Sequence, residues 1–469
     1  MLPGFYACAM ASASGHDGPL AGLRVLEIAS LAPAPFACTV LSDLGAEVLR
    51  IDRAAATAAL ATAPTAGPAA APTPAAAPTH AAVGGRAQVP GAAAAPVPVV
   101  APAAVPTAAA AKISAAAEAL AAASAPTEVP AEERLFADPL SRGRRSVAVD
   151  LKHPRGAETV LRLVESADVL IEGFRPGVCE RLGIGPDPCL DRNPRLIYAR
   201  MTGYGQDGPM AQRAGHDINY LALAGALEPL GPASGPPLPP LNYVADFGGG
   251  GMLLVVGILA ALWERERSGA GQVIDASMVD GSALITSILH TLRGAGLWDE
   301  RRGRNLFDGS APFYAAYECS DGRFVAVGAL EPQFWAELVD GLGLPDAAEL
   351  VQRQHDRDTW PEVQARLAAI FATRTRDEWA AHFADSDACV TPVLDPFEAH
   401  EHPHNVARGT FVEVDGWEPQ PGPAPRFSRT PGRIASSSPV PGQHTDEALR
   451  EWGLTAEEIS LLRTDGAVG

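Results

Sequence analysis

The chain has 469 residues, 47% of them hydrophobic, enough to bury a large core and to predict a globular protein of two domains. Its formal charge is −19, from 36 Lys and Arg against 55 Asp and Glu, which argues against a general nucleic-acid or anionic-membrane surface and leaves any anionic ligand to a local basic patch. Cys8, Cys38, Cys179, Cys189, Cys319 and Cys389 stand far apart with no CxxC pair, so they read as reduced thiols and predict a cytoplasmic protein.

Residues 1–17 lack the basic start and sustained apolar run of a secretory signal and read as a disordered extension, with Met10 an alternative start. From Leu23, LRVLEIA predicts a strand, APFACTVLSDLG an amphipathic helix of three turns and AEVLRID a second strand. The turn after the first strand, ASLAPAPFA, has prolines where GxGxxG needs glycines, and no GxxxxGK[ST] occurs, so phosphate recognition falls to side chains. Residues 54–131 form an Ala/Pro tract in which prolines forbid a helix and large apolar groups are too few for a core, so a disordered insertion that loops outward is predicted.

Order resumes at RRSVAVDLKHPRGAETVLRLVESADVLIEGF as strand, helix and strand, and RLIYAR adds another buried strand, which makes the fold α/β. Residues 246–267 predict a long helix whose most apolar part, 252–263, is too short to span a bilayer and reads as buried. The strand QVIDAS and a helix over 277–293 follow. FYAAYECSDGRFVAVGA then alternates about a Ser-Asp-Gly turn as a hairpin, and a second domain starts there. Helices are predicted at 331–342, 360–372 and 376–385, with two short surface helices in DEALREWG and TAEEISLLR.

Basic groups cluster at predicted strand ends: Arg50 and Arg53, then Arg142, Arg144, Arg145 and Lys152, then Arg175 and Arg181 in GFRPGVCERLG. The ends of parallel strands open on one crevice, so these side chains are candidates to converge there, and the Gly-x-Arg-Pro-Gly turn holds the Arg175 backbone rigidly. His216, in GHDINY, opens a helix after glycine. A lone histidine is usually structural, but Asp246 stands 30 residues on (246 − 216) in VADFGGGGM, an acid in an apolar helix start followed by four glycines that permit close backbone approach. Each has a plainer reading, Asp246 as an N-cap and Glu331 in GALEPQFW as another. Together His216 and Asp246 suit proton transfer at carbon, with a base on one face, an acid on the other, and helix-start amides to hold an enolate oxygen.

LAGLRVLEIASLAPAPFACTVLSDLGAEVLRIDR, DVLIEGFRPGVCERLG, AGHDINYLALAGAL, ADFGGGGMLLVVGILAALWER and VGALEPQFW closely resemble the class III CoA-transferase (CaiB/BaiF) superfamily and, within it, the α-methylacyl-CoA racemases. The resemblance runs from about Gly18 to the C-terminal region and is interrupted by the Ala/Pro tract. It implies an interlocked homodimer with a Rossmann-like large CoA-binding domain (18–53 and 132–276), a linker helix (277–311), a smaller α+β domain (312–395) and a return linker completing the large domain (396–469). The active site would lie between the large domain of one subunit and the small domain of the other. His216 and Asp246 would be the two catalytic bases, with Glu331 orienting His216 across the boundary. Coenzyme A contacts carry over to Arg53, Lys152, Gly173, Arg175, Arg181 and Tyr220, with Arg50 an addition.

The implied reaction interconverts (R)- and (S)-2-methylacyl-CoA by α-proton removal and return, a step in fatty-acid metabolism. It needs a neutral imidazole opposite a protonated carboxyl, and a partly dry cleft that raises the Asp246 pKa. No separate cofactor, metal, nucleic-acid or membrane partner is expected, since coenzyme A is part of the substrate. HEHPHN at 400–405 looks like a metal site, yet HPHN resembles a usual metal-free loop of this family. The nearest rival is a CoA-transferase with Asp246 as nucleophile, although such transferases generally lack the AGHD histidine. A catalytically silent acyl-CoA-binding protein is the other. The acyl pocket leaves no motif, so branched fatty acyl, bile-acid and arylpropionyl groups stay open.

Overall fold

Successive residues of a strand point to opposite faces, so a sheet covered on both sides favours apolar residues on both, as in the VL, VAV and VLI runs of these strands. The computed structural model describes residues 18–54, 138–415 and 418–469, and the predicted extension (1–17) and the insertion past residue 54 lie outside them. The chain divides into residues 1–60 with 135–469, which carry everything described below, and residues 61–134.

Strands β1 (Arg24–Ile28), β2 (Glu47–Arg53), β3 (Arg144–Val149), β4 (Val169–Glu172), β5 (Ile197–Thr202) and β6 (Gln272–Ser277) form a six-stranded sheet in the order β3-β2-β1-β4-β5-β6. Every pairing is parallel. This is the doubly wound Rossmann order, and its strand order reverses between β1 and β4, which opens a crevice at their C-terminal ends. The predicted α/β Rossmann-like fold is therefore present.

The helices of this domain are α1 (Pro33–Asp43), α2 (Pro154–Val164), α3 (Val178–Arg181), α4 (Pro186–Arg192), α5 (Asp217–Leu223) and α6 (Leu253–Ser268). On one face of the sheet Val25, Val48, Val169 and Ile197 pack with Ala37 and Leu41 of α1 and Leu254 and Ile258 of α6. On the other, Leu26, Leu49, Leu170 and Tyr198 pack with Val160 and Leu163 of α2. The two C-terminal helices, Thr445–Glu451 and Ala456–Thr464, lie on the surface as predicted and close this second face with their inner sides, Ala448 and Leu449 from one and Ile459 and Leu462 from the other. Their short sequences carry one apolar side each, and the exposed edge of α2 and β3 is what that side covers.

Three expectations are corrected. The helix predicted from residue 246 begins at Tyr243 and is π-wound to Met252, and its four consecutive glycines let neighbouring backbones approach. With α6 it makes one 26-residue run, Tyr243–Ser268, long and apolar enough to cross a membrane, which the 252–263 count missed. The run is not buried all round: Leu254, Val255, Ile258 and Ala261 enter the sheet core, whereas Val256 and Trp263 are exposed. The helix predicted over 277–293 is two, α7 (Met278–Ile285) and α8 (Ser287–Gly294). The break falls at Thr286, whose hydroxyl donates to the Ala283 carbonyl (2.7 Å) while the Ser287 hydroxyl donates to that of Leu284 (2.6 Å), so side chains compete for the helix's own acceptors.

The smaller domain is built on an antiparallel sheet of β7 (Tyr314–Glu318), β8 (Phe324–Gly328) and β9 (Val390–Pro392). Its core gathers Phe313, Trp335, Trp360, Leu367, Phe371 and Trp379, with Phe313 edge-on to Trp335 and Trp360. The short helix Ala347–Gln352 was not anticipated.

Candidate active site

Strand β5 ends at Thr202, and the chain passes through Gly203 and Gly215 before entering α5. A Cβ on Gly203 would lie 2.2 Å from Cε1 of Tyr220, and one on Gly215 would lie 2.6 Å from the Tyr204 hydroxyl. Glycine at both points lets the edge-on Tyr204–Tyr220 pair (5.0 Å between centroids) close under the turn, and the Tyr220 hydroxyl donates to the Gly215 carbonyl. His216 follows as the N-cap residue of α5, its N–H donating to Asn219 Oδ1 (3.1 Å) and its side chain exposed. Asp217, next in sequence, is 5% exposed. Its Oδ2 accepts the N–H groups of both Ala245 and Asp246, each at 2.8 Å, so the start of α5 is tied to the first turn of the π-helix.

The π-helix is held by close backbone contact that larger residues would block. A Cβ on Gly249 would lie 2.8 Å from the Ser282 nitrogen, one on Gly281 1.8 Å from the Gly249 carbonyl oxygen, and one on Gly251 2.8 Å from the Pro33 carbonyl oxygen. Asp246 is half-buried in its first turn, and Asn242 Nδ2 donates to its Oδ2 at 3.3 Å. Burial raises the Asp246 pKa most; the Asn242 hydrogen bond opposes this, the Asp217 charge adds to it and a charged His216 opposes it, leaving the carboxyl above the usual range. His216 and Asp246 therefore share one electrostatic site.

The amides of residues 245 and 246 are bonded to Asp217, so these two are not among the helix-start N–H groups open to an enolate oxygen. Asp217 and Asn242 are the site residues that sequence reasoning missed. The one signal was an acid directly after His216 in a helix's first turn, which also fits an ordinary surface helix start.

The basic candidates separate into two groups. Arg142 pairs with Asp43 at 2.5 Å and Arg144 with Glu27 at 2.5 Å, both pairs buried, while Arg145 bridges Glu47 and Glu451. These three serve the fold and do not reach the crevice. Arg50 lies between Asp52 (3.1 Å) and the Ser141 hydroxyl (2.8 Å). Arg53 is exposed at the end of β2, and Lys152 in the turn after β3, where its N–H donates to Asp150 Oδ1 (2.9 Å). Gly173 follows β4, and a Cβ there would meet Ser30 Oγ of the turn after β1 at 2.8 Å. That turn is set by buried Glu172, which accepts the Phe174 N–H (2.7 Å) and Arg200 Nε (2.8 Å). Arg175 and Arg181 are exposed just beyond it. Tyr220 is 7% exposed and its phenol is pushed by burial up to about 12, with Arg175 near enough to oppose the shift. Gln212 Nε2 donates to the Pro176 carbonyl (3.1 Å), which ties the Arg175 turn to the segment leading into His216.

Glu331 lies elsewhere in the chain. It is the exposed N-cap residue of helix Pro332–Gly341, its side chain makes no capping bond, and its charge acts on Cys389. Cys389 lines a cavity of about 450 Å³ in the smaller domain with Phe307, Tyr314, Val327 and Gly328. The charged groups that act on Asp246 within one chain are Asp217 and His216, so Glu331 does not join them there. In the HEHPHN segment His402 caps helix Pro403–Arg408, its Nδ1 accepting the His404 N–H at 3.3 Å. Among the described residues no three His, Cys, Asp or Glu side chains are grouped to hold a metal ion.

The CoA-transferase family III model matches residues 20–71 and 112–445. Over 450 residues the chain is 41% identical to the α-methylacyl-CoA racemase of Mus musculus, spanning 96% of this chain and 97% of the relative. It is 39% identical to the α-methylacyl-CoA racemase of Homo sapiens over 447 residues, 95% of this chain and 96% of the relative. In fold it is similar to a CAIB/BAIF family protein from Brucella suis, with a TM-score of 0.68 at 23% identity over 93% of this chain and 100% of that one.

Proposed function

Because the chain belongs to CoA-transferase family III, we propose that it is an α-methylacyl-CoA racemase that exchanges the proton α to a thioester carbonyl between His216 and Asp246. The observation that carries this reading is that Asp217, next to His216, ties the start of α5 to the backbone of Asp246, with Asp246 raised by burial and within electrostatic reach of His216. A neutral imidazole takes the α-proton of a 2-methylacyl-CoA from one face. The C–H electron pair becomes the double bond of the enolate and the charge moves to the thioester oxygen. The protonated Asp246 carboxyl gives its proton to the opposite face, leaving imidazolium and carboxylate, and proton exchange with water resets the pair. A carboxyl held above its usual range keeps its proton to higher pH, so it is available as a proton donor and less of it stands as the carboxylate that acyl transfer needs, which favours this reading over transfer through Asp246.

Coenzyme A enters as part of the substrate, along the edge of Arg53, Lys152, Gly173, Arg175 and Arg181, with Arg50 behind it. The chemistry calls for no metal or redox cofactor and no nucleic acid. The protein acts as a homodimer in the cytoplasm, in fatty-acid metabolism, without a membrane partner, and Glu331 of one subunit orients His216 of the other. Support for the dimer comes from the large apolar side chains left on the helices after Asp246, with Trp263 69%, Leu284 61% and Val256 57% exposed. The test is incubation of (R)- and (S)-2-methylacyl-CoA in D2O. Deuterium at Cα with loss of optical purity from either enantiomer is the expected result; an acyl group trapped on Asp246 by hydroxylamine, without label at Cα, overturns it in favour of transfer.

A further inference from the structure

The His216 turn and the Asp246 turn are each secured separately, the first by Tyr220 and Asn219, the second by Asn242 and the glycine contacts of the π-helix. Among the polar contacts described, the carboxylate of Asp217 joins them. We propose that Asp217 is a positioning residue for the two-base exchange: its buried carboxylate clamps the first turn of the Asp246 helix to the His216 turn and so sets the gap that the substrate carbon must fill.

The clamp has little slack. Asp217 is covalently next to His216 and one hydrogen bond from the backbone of Asp246, and a single oxygen, Oδ2, takes both N–H groups at 2.8 Å. Those amides belong to a helix's first turn and lack acceptors of their own within it. The other oxygen, Oδ1, is buried without a partner in a side chain 5% exposed. An unpaired buried carboxylate oxygen costs stability, so an arrangement serving the fold alone would be improved by an amide or by a second donor. What the carboxylate adds is geometric, a fixed separation, and electrostatic, a negative charge beside Asp246. The ionisable groups facing Asp246 are Asp217 and His216, with Tyr220 of α5 nearby.

This inference rests on the racemase reading, and the experiment separates the two. Wild type, Asp217→Asn, Asp217→Glu and Asp217→Ala are assayed with both 2-methylacyl-CoA enantiomers in D2O for kcat, KM and the ratio of label wash-in to inversion, with circular dichroism as the folding control. If the wild type places no deuterium at Cα, the racemase reading falls. If it does, Asp217→Ala is expected to lose on the order of 100-fold in kcat with KM within about threefold, because a misplacement near 1 Å costs that much, and to raise wash-in relative to inversion as the second base falls out of line. Asp217→Asn keeps one oxygen for both N–H groups, so it is expected to retain most of kcat and to move the Asp246 limb of the pH profile to lower pH as the neighbouring charge is lost. Asp217→Glu keeps the charge but lengthens the arm, so it is expected to raise the wash-in ratio with that limb unmoved. Should Asp217→Ala fail to fold, the Asn and Glu variants decide. Wild-type kcat and wash-in ratio in Asp217→Ala, or in its absence an unmoved limb in Asp217→Asn with a wild-type ratio in Asp217→Glu, overturns the proposal.

Discussion

Asp246 is held in a form that suits the proposed proton transfer and works against stability at neutral pH. Its folded pKa is raised, first by burial and then by Asp217, so the folded state binds the proton more tightly than the unfolded chain. The stabilising contribution of that proton is fully present below the ordinary carboxylate range and is lost as pH rises through the raised value. Replacing Asp246 with Asn removes the titration, keeps the shape and leaves Asn242 a partner. Asp246→Asn is therefore expected to melt higher than wild type at neutral pH, by roughly 1 °C, with the gap closing as pH falls toward the carboxylate range, while racemisation is lost. Thermal unfolding across pH checks the first part, and chiral analysis of the product the second. His216→Ala, by contrast, removes an exposed side chain, so kcat is expected to fall by about 10²–10⁴ with Tm unchanged. These two residues were legible because an isolated His and an isolated acid in an apolar, glycine-rich helix start are each unusual. Asp217 was not, because hydrogen-bonding a backbone 28 residues away leaves no local pattern, and Asn242 was not, because an amide four residues before an acid is a common spacing that singles out no site.

At the level of elements, the strands were readable because a sheet covered on both faces favours short, mostly apolar runs such as the VL of RVLEI and the VAV of RSVAV, and the prolines and glycines between them mark the turns. The helix that carries Asp246 was legible as a helix but not as a π-helix, since its winding is set by what packs on it. Gly281 of α7 meets the Gly249 carbonyl, and a methyl at 281 would lie 1.8 Å from that oxygen, backbone against backbone with no flexible side chain to yield. Gly281→Ala is expected to push α7 off the π-helix, cost about 1–3 kcal/mol in denaturant unfolding and reduce α-proton exchange. Gly257 of α6 is the control. A methyl there would stand 3.4 Å from Ile274 Cγ2, ordinary contact, so Gly257→Ala is expected to stabilise by up to about 1 kcal/mol through reduced chain entropy, with exchange kinetics unchanged. Opposite signs from the same substitution would tie the function of the four-glycine run to packing at one crossing.

Seen as a whole molecule, one chain assembles half of what the reading requires. His216 and Asp246 both lie on the larger domain, within electrostatic reach of one another, while Glu331 is exposed on the smaller one and acts there on Cys389. If each site takes its His216 from one subunit and its Glu331 from the other, the two lesions can be separated by mixing. A His216→Ala chain and a Glu331→Ala chain, each impaired alone, form mixed dimers when co-expressed. In such a dimer one site receives both lesions and the other receives neither. With equal amounts of the two chains, half of the dimers are mixed and half of their sites are intact, so recovery of roughly a quarter of wild-type activity is expected. Were both residues to come from the same chain, each site would carry one lesion, and the mixture would be no more active than the average of its parents. The measurement is the racemisation rate of the co-purified mixed dimer, isolated through two different affinity tags, in which half of the wild-type rate per dimer is expected and no more than the parents' average is predicted by a single-chain site.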